Sequence, residues 1–140
     1  MKKLFFQKEG LGLGEYRIIS PYQPYLRVGL LTLFLDDVMQ TLQWESIVNK
    51  ESGGGNVTDI DYLENDMDEI FDSFDPEEAG VLLLPHAEVV RLLHEWKDLM
   101  LKRVEYITVF EENGNFILQG SSDLPPEVVE YRQNNPQEKW

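Results

Sequence analysis

The stretch Asp59-Ile60-Asp61-Tyr62-Leu63-Glu64-Asn65-Asp66-Met67-Asp68-Glu69-Ile70-Phe71-Asp72-Ser73-Phe74-Asp75-Pro76-Glu77-Glu78 governs the reading of the chain. The window from Glu51 to Val90 holds twelve Asp and Glu residues and no Lys or Arg. The formal charge over all 140 residues is −14, so most of the excess lies in this one window. Apolar residues are interleaved throughout it, which a merely solvated tail would not need. Thr58 resembles an N-cap, and carboxylates just after it suit the positive end of a helix. Tyr62, Met67, Ile70, Phe71 and Phe74 give an imperfect apolar stripe at three-to-four spacing, which Pro76 ends. On such a helix Asp61, Glu64, Asp68 and Asp72 crowd the outer side. Like charges four residues apart cost roughly 0.2–0.5 kcal/mol per pair. A helix accepting several of them, with no lysine between, needs tertiary packing or a cationic partner.

Beyond the acidic run, Val81-Leu82-Leu83-Leu84 reads as a short central strand. Pro85-His86-Ala87-Glu88 then opens the clearest helix of the chain. Val89, Leu92, Leu93, Trp96, Leu99 and Met100 form its buried face, with Glu88 and Lys102-Arg103 matched to the helix dipole. Strands over Glu105–Glu111 and Asn115–Gly120 flank Glu112-Asn113-Gly114, a strong hairpin signal. From Ser121 onward prolines, charges and amides surround Val128-Val129-Tyr131, an extension that offers one short helix and a mobile end.

On the N-terminal side, Lys2–Gln7 and Glu15–Ser20 read as strands joined through Gly10-Leu11-Gly12-Leu13-Gly14. That glycine run is no dinucleotide fingerprint. Glu15 stands where the third glycine belongs, and an extended segment follows instead of a helix. Pro21-Tyr22-Gln23-Pro24-Tyr25 is a rigid turn. Leu26–Leu35 is apolar enough for a buried strand or a helix start, and periodicity does not choose between them. From Asp36, the residues Val38, Leu42, Trp44 and Val48 recur at helical spacing until Ser52-Gly53-Gly54-Gly55, which reads as a loop connecting to the next element.

Together these elements predict an α+β fold, a mostly antiparallel sheet with packed amphipathic helices. We expect a single domain over residues 1–120 and a C-terminal extension over 121–140. No cysteine is present, which removes disulfides, thiolate metal sites and cysteine nucleophiles. Met1-Lys2-Lys3-Leu4-Phe5-Phe6 starts like a signal peptide, but its apolar run is too short. No stretch approaches the ~20 apolar residues that span a bilayer. The expectation is a cytoplasmic protein. Its charge disfavours direct contact with nucleic acid or anionic membranes and favours cationic proteins as partners.

Catalytic and metal patterns do not assemble. Asp59-x-Asp61, Asp66-x-Asp68 and the run from Asp72 lack the glycine and ligand spacing of an EF-hand loop. His94 and Asp98 stand one helical turn apart, yet H-E-x-x-H is incomplete and His86 lies two turns back. No landmark selects two carboxylates for hydrolysis, and no serine has a nucleophile's context. We therefore expect a protein that is not an enzyme and carries no cofactor.

The segment Glu77-Glu78-Ala79-Gly80-Val81-Leu82-Leu83-Leu84-Pro85-His86-Ala87-Glu88-Val89-Val90-Arg91-Leu92-Leu93-His94-Glu95-Trp96 resembles a layout found in small bacterial immunity proteins of polymorphic, contact-dependent toxin systems. In both, a strand leads through a polar turn into an amphipathic helix bearing a tryptophan. The resemblance covers about a seventh of the chain. It implies a cytoplasmic α+β protein that blocks a cognate toxin domain, often a basic nuclease. On that reading Asp61, Glu64, Asp68, Glu69, Asp72 and Asp75 are charged contacts, with Tyr62 and Phe71 as anchors. A non-catalytic regulatory or assembly subunit, or a metal-dependent acidic protein, are the competing expectations.

Overall fold

The computed structural model describes residues 3–10, 16–19, 26–51, 55–74 and 80–136. Its strands form two separate antiparallel sheets rather than one. Sheet 1 comprises β1 (Lys3–Lys8), β2 (Tyr16–Ile18), β6 (Tyr106–Glu112) and β7 (Asn115–Ser121), in the order β2-β1-β6-β7. Sheet 2 comprises β3 (Thr58–Tyr62), β4 (Met67–Asp72) and β5 (Val81–Pro85), with β4 in the middle. The helices are α1 (Leu26–Thr41), α2 (Trp44–Val48), α3 (His86–Lys102) and α4 (Pro126–Asn134). The class is α+β, as the sequence predicts.

Helices α1 and α3 lie between the sheets, since each packs on strands of both. This explains why Leu26–Leu35 has no clear polar face. Val28, Leu30, Leu31, Phe34, Leu35, Val38 and Met39 are all buried, so α1 is apolar around most of its circumference. The helical spacing expected from Asp36 to Val48 is broken once, where Leu42 adopts a left-handed φ of 58° and α2 starts afresh. Opposite α1, α3 buries Val89, Leu92, Leu93, Trp96 and Met100, with the edge of Phe6 against the Trp96 ring.

The reverse face of sheet 1 is covered. Phe5 points there and packs with Ile19 and with Val128 of α4, forming a second small core. The C-terminal region thus contains the short helix expected around Val128, and that helix is docked. Between β6 and β7, Glu112 pairs with Asn115 across a two-residue turn, with φ of 52° at Asn113 and 82° at Gly114. Both positive angles match the hairpin turn that Asn-Gly favours.

Two expectations are corrected. Residues 59–74 contain no α-helix; they form the β3–β4 hairpin and its exit. β5 is an edge strand, and its burial alternates, with Leu82 and Leu84 inward and Val81 and Leu83 outward. A run of apolar letters concealed that alternation because the outward positions are apolar too. Most of the glycine run (residues 11–15), the proline turn at 21–25, residues 52–54, residues 75–79 and the last four residues lie outside the described residues.

Candidate functional site

Strand parity decides what the acidic hairpin presents. Thr58, Ile60, Asp68 and Ile70 are buried, whereas Asp59, Asp61, Met67, Glu69 and Phe71 alternate with them toward solvent. Ile60 lies opposite Ile70, and Asp61 lies opposite Glu69. The hairpin closes through the Leu63 N–H, which donates to the Met67 carbonyl at 2.7 Å. Asn65 and Asp66 take left-handed φ angles of 60° and 57°, a conformation these side chains tolerate. Lys50, the cation just before the acidic window, donates to Asp66 at 2.7 Å.

The hairpin is tied to the core at both ends. At its start, the Asp37 carboxylate of α1 accepts the N–H groups of Asn56, Val57 and Thr58 and the Thr58 hydroxyl, at 2.8–3.1 Å. Burial would raise the Asp37 carboxyl, but these hydrogen bonds outweigh it and hold it below its ordinary range. Thr58 therefore starts a strand by bonding to α1 instead of capping a helix of its own.

The second tie is His86, the first residue of α3. Its Nδ1 lies 2.7 Å from Asp68 Oδ2, and its Nε2 lies 3.0 Å from the Val48 carbonyl. A carbonyl only accepts, so Nε2 carries a proton toward Val48. The Nδ1–Oδ2 separation is that of a hydrogen bond, which ties the ring to the buried carboxyl group. Asp68 is 0% exposed, and its Oδ1 has no hydrogen-bond partner. Tyr62 places its ring edge-on to His86, with centroids 6.0 Å apart. Burial, then the charges of Asp68 and Asp59, push the Tyr62 hydroxyl up to about 12. With both ring nitrogens engaged, His86 acts as a clamp joining α2, β4 and α3, and has no nitrogen left for general-base chemistry.

The sequence-selected residues therefore divide. Asp61, Glu69 and Phe71 stand on the outward face, and Glu64 is exposed in the hairpin turn. Asp68 does not crowd an outer side, because it is fully buried on His86. Tyr62 faces inward, against the main core. Asp72 ends β4 and accepts the Phe74 N–H at 2.8 Å. Asp75 lies outside the described residues.

The sequence reading missed Asp59, Met67, Val81 and Leu83, which complete the outward face. Pairing sets them in cross-strand rows: Asp59, Phe71 and Val81, then Asp61, Glu69 and Leu83. One edge of the sheet is acidic and the other apolar. Val81 and Leu83 are each 48% exposed. Directly opposed like charges, as at Asp61 and Glu69, destabilise a sheet unless a cation lies near them. The available signal was the strict alternation Thr58-Asp59-Ile60-Asp61-Tyr62, a strand period.

Elsewhere, a cleft of about 660 Å³ lies between β7 and the start of α4. Its Lys3 and Glu127 pair with each other at 2.9 Å, and Lys3 holds the Glu127 carboxyl below its ordinary range. The Ser121 hydroxyl donates to the Asp123 carbonyl and accepts the Asp123 N–H, which locks it in a turn. Among the described residues no group of three or more His, Asp or Glu side chains is placed to hold a metal ion. Compared with known proteins, the chain matches no family model, no curated protein and no solved structure.

Proposed function

We propose that this chain is an acidic protein-binding inhibitor, acting as an immunity protein that neutralises a basic toxin domain, such as a nuclease. The observation that carries the reading is the outward face of sheet 2. There Asp59, Asp61 and Glu69 adjoin Phe71, Val81 and Leu83, while α4 covers the reverse of sheet 1. Exposed carboxylates steer and register a cationic partner, and adjoining apolar side chains supply area from which water is expelled. The charge of −14 speeds encounter with a basic surface and weakens it for nucleic acid. Among the described residues no helix is long and apolar enough to cross a membrane. An inhibitor that protects its own cell from such a toxin would act in the cytoplasm.

The test pairs capture with inhibition. The intact chain and an Asp61→Lys/Glu69→Lys variant are immobilised and exposed to host lysate at low and high salt. The reading requires a basic protein retained by the first, released by salt and lost with the second. It also requires that the free chain suppress that protein's activity. Identical retention by both chains defeats it. The exposed Val81 and Leu83 favour a second reading, a regulatory or assembly subunit, whose partner would stay bound through high salt and be lost with Leu83→Asp.

A further inference from the structure

The hydrogen-bond parity of sheet 2 decides which backbone groups face its free edges. In an antiparallel ladder, opposed residues alternate between pairs that exchange both backbone bonds and pairs that exchange none. The Leu63 N–H donates to the Met67 carbonyl and the Ser73 N–H to the Val57 carbonyl, so odd-numbered residues of β3 and β4 bond to each other. The even-numbered residues of β4 then turn to β5, where Asp68 opposes Leu84 and Ile70 opposes Leu82. The N–H and C=O groups of Val81 and Leu83 are left pointing away from β4, along the open edge.

Other edges of the fold are closed by side chains. On the outer edge of β3, the Asp37 carboxylate accepts the Thr58 N–H and Asp59 Oδ1 accepts the Ile60 N–H. On the outer edge of β7, Arg91 donates to the Phe116 carbonyl. Among the described residues no such partner meets the outward backbone of Val81 or Leu83, and both residues are exposed. Neither carries the charge that commonly guards an edge strand.

We infer that β5 receives an extended segment of the basic partner as a further antiparallel strand of sheet 2, with Lys or Arg opposite Leu83 and an apolar residue opposite Val81. The inference rests on the inhibitor reading and names its contact. Such a strand bonds both outward groups of Val81 and both of Leu83, and continues the antiparallel order of the sheet. Charge selects the occupant. A residue opposite Leu83 extends the row Asp61, Glu69, Leu83. It stands two strand spacings from Glu69, roughly 9–10 Å, and a basic side chain laid over Leu83 brings its charge back toward that carboxylate. A residue opposite Val81 extends the row Asp59, Phe71, Val81, where its nearest neighbours are apolar. A second copy of β5 would offer only Val and Leu in these places, and would bring together two chains of charge −14.

The probe is the end-blocked peptide Thr-Lys-Thr-Val-Thr, which sets its Lys opposite Leu83 and its Val opposite Val81 when it runs antiparallel. Amide spectra and amide hydrogen exchange of the intact protein are followed at low salt during titration with this peptide. Two controls run beside it, one with Glu in place of Lys and one N-methylated at Lys and Val. The Val81 and Leu83 amides should exchange freely in the unbound chain, then shift and gain protection with the first peptide. Both controls should bind at least about tenfold more weakly. Equal binding by either control, or no protection at Val81 and Leu83 at millimolar peptide, overturns the inference. So does protection of these amides that rises with protein concentration without peptide, which would assign the edge to a second copy. A basic protein captured from lysate and lost with Asp61→Lys/Glu69→Lys, yet leaving the Leu83 amide in free exchange when bound, would uphold the inhibitor reading and overturn the added strand alone.

Discussion

The Asp37 carboxylate occupies the space into which a side chain at Gly55 would project. A β-carbon built on Gly55 would lie 2.4 Å from Asp37 Oδ2 and 2.5 Å from its Cγ. That approach lets one carboxylate gather the N–H groups of residues 56–58 and the Thr58 hydroxyl. It fixes where β3 begins, and therefore which residues face outward along the hairpin.

A double-mutant cycle measures this packing. Gly55→Ala should destabilise the protein by about 1–3 kcal/mol, because the methyl displaces a carboxylate held by four hydrogen bonds. In an Asp37→Ala background the obstruction is gone, and the same substitution should be nearly neutral. Urea unfolding of the four chains gives the coupling. Additive effects would show that the contact does not matter.

Acid sensitivity follows from the same group. The Asp37 carboxyl is held below its ordinary value in the fold, so it binds its proton less readily there than in the unfolded chain. The stabilisation is complete above the ordinary aspartate value, about 3.9. It is lost as pH falls through the lowered folded value. Stability measured from about pH 6 down to about pH 2 should therefore fall less steeply below about pH 4 in Asp37→Asn than in the natural chain. Parallel curves would remove Asp37 from the account.

How far the sequence could be read depends on the range of the deciding contact. Asn113-Gly114 and the stripe from Val89 to Met100 are local patterns, and they place β6–β7 and α3 correctly. The acidic segment is settled by distant partners: Thr58 by Asp37, 21 residues away, and Asp68 by His86, 18 away. A threonine followed by carboxylates starts a helix or a strand equally well until Asp37 is in place. The three-to-four stripe mixed inward Tyr62 and Ile70 with outward Met67 and Phe71. The charge of the candidate surface was thus readable, but its orientation was not, and the apolar half contributed by β5 looked like core.

The His86 clamp gives a prediction of the opposite character from a surface contact. Removing one member leaves a buried polar group without its partner, so Asp68→Ala or His86→Ala should each cost about 3–5 kcal/mol. Asp68→Lys should fail to fold. Asp68→Leu/His86→Leu should recover part of either loss, because no buried charge is then stranded. Thermal unfolding ranks the variants. A double substitution that costs the full sum of the two single losses would mean that Asp68 and His86 do not act as a pair.

On the outward face the sign reverses. Asp61 and Glu69 are opposed across the strands, so Asp61→Lys replaces a repulsive pair with an attractive one. It should stabilise the isolated protein by about 0.2–1 kcal/mol, more at low salt than at high. The same change should weaken a basic partner's association, acting mainly on its rate and its salt dependence. Glu69→Lys should behave alike, whereas reversing both residues restores an opposed like-charge pair and removes the gain in stability. Stability and binding thus move in opposite directions for each single variant, a pattern expected of charges kept for a partner and not for the fold. Chemical unfolding at two ionic strengths checks the first half, and association kinetics with a basic protein retained by the natural chain check the second. Loss of stability in Asp61→Lys would show that the carboxylate supports the hairpin itself, and the face would lose its claim as a site.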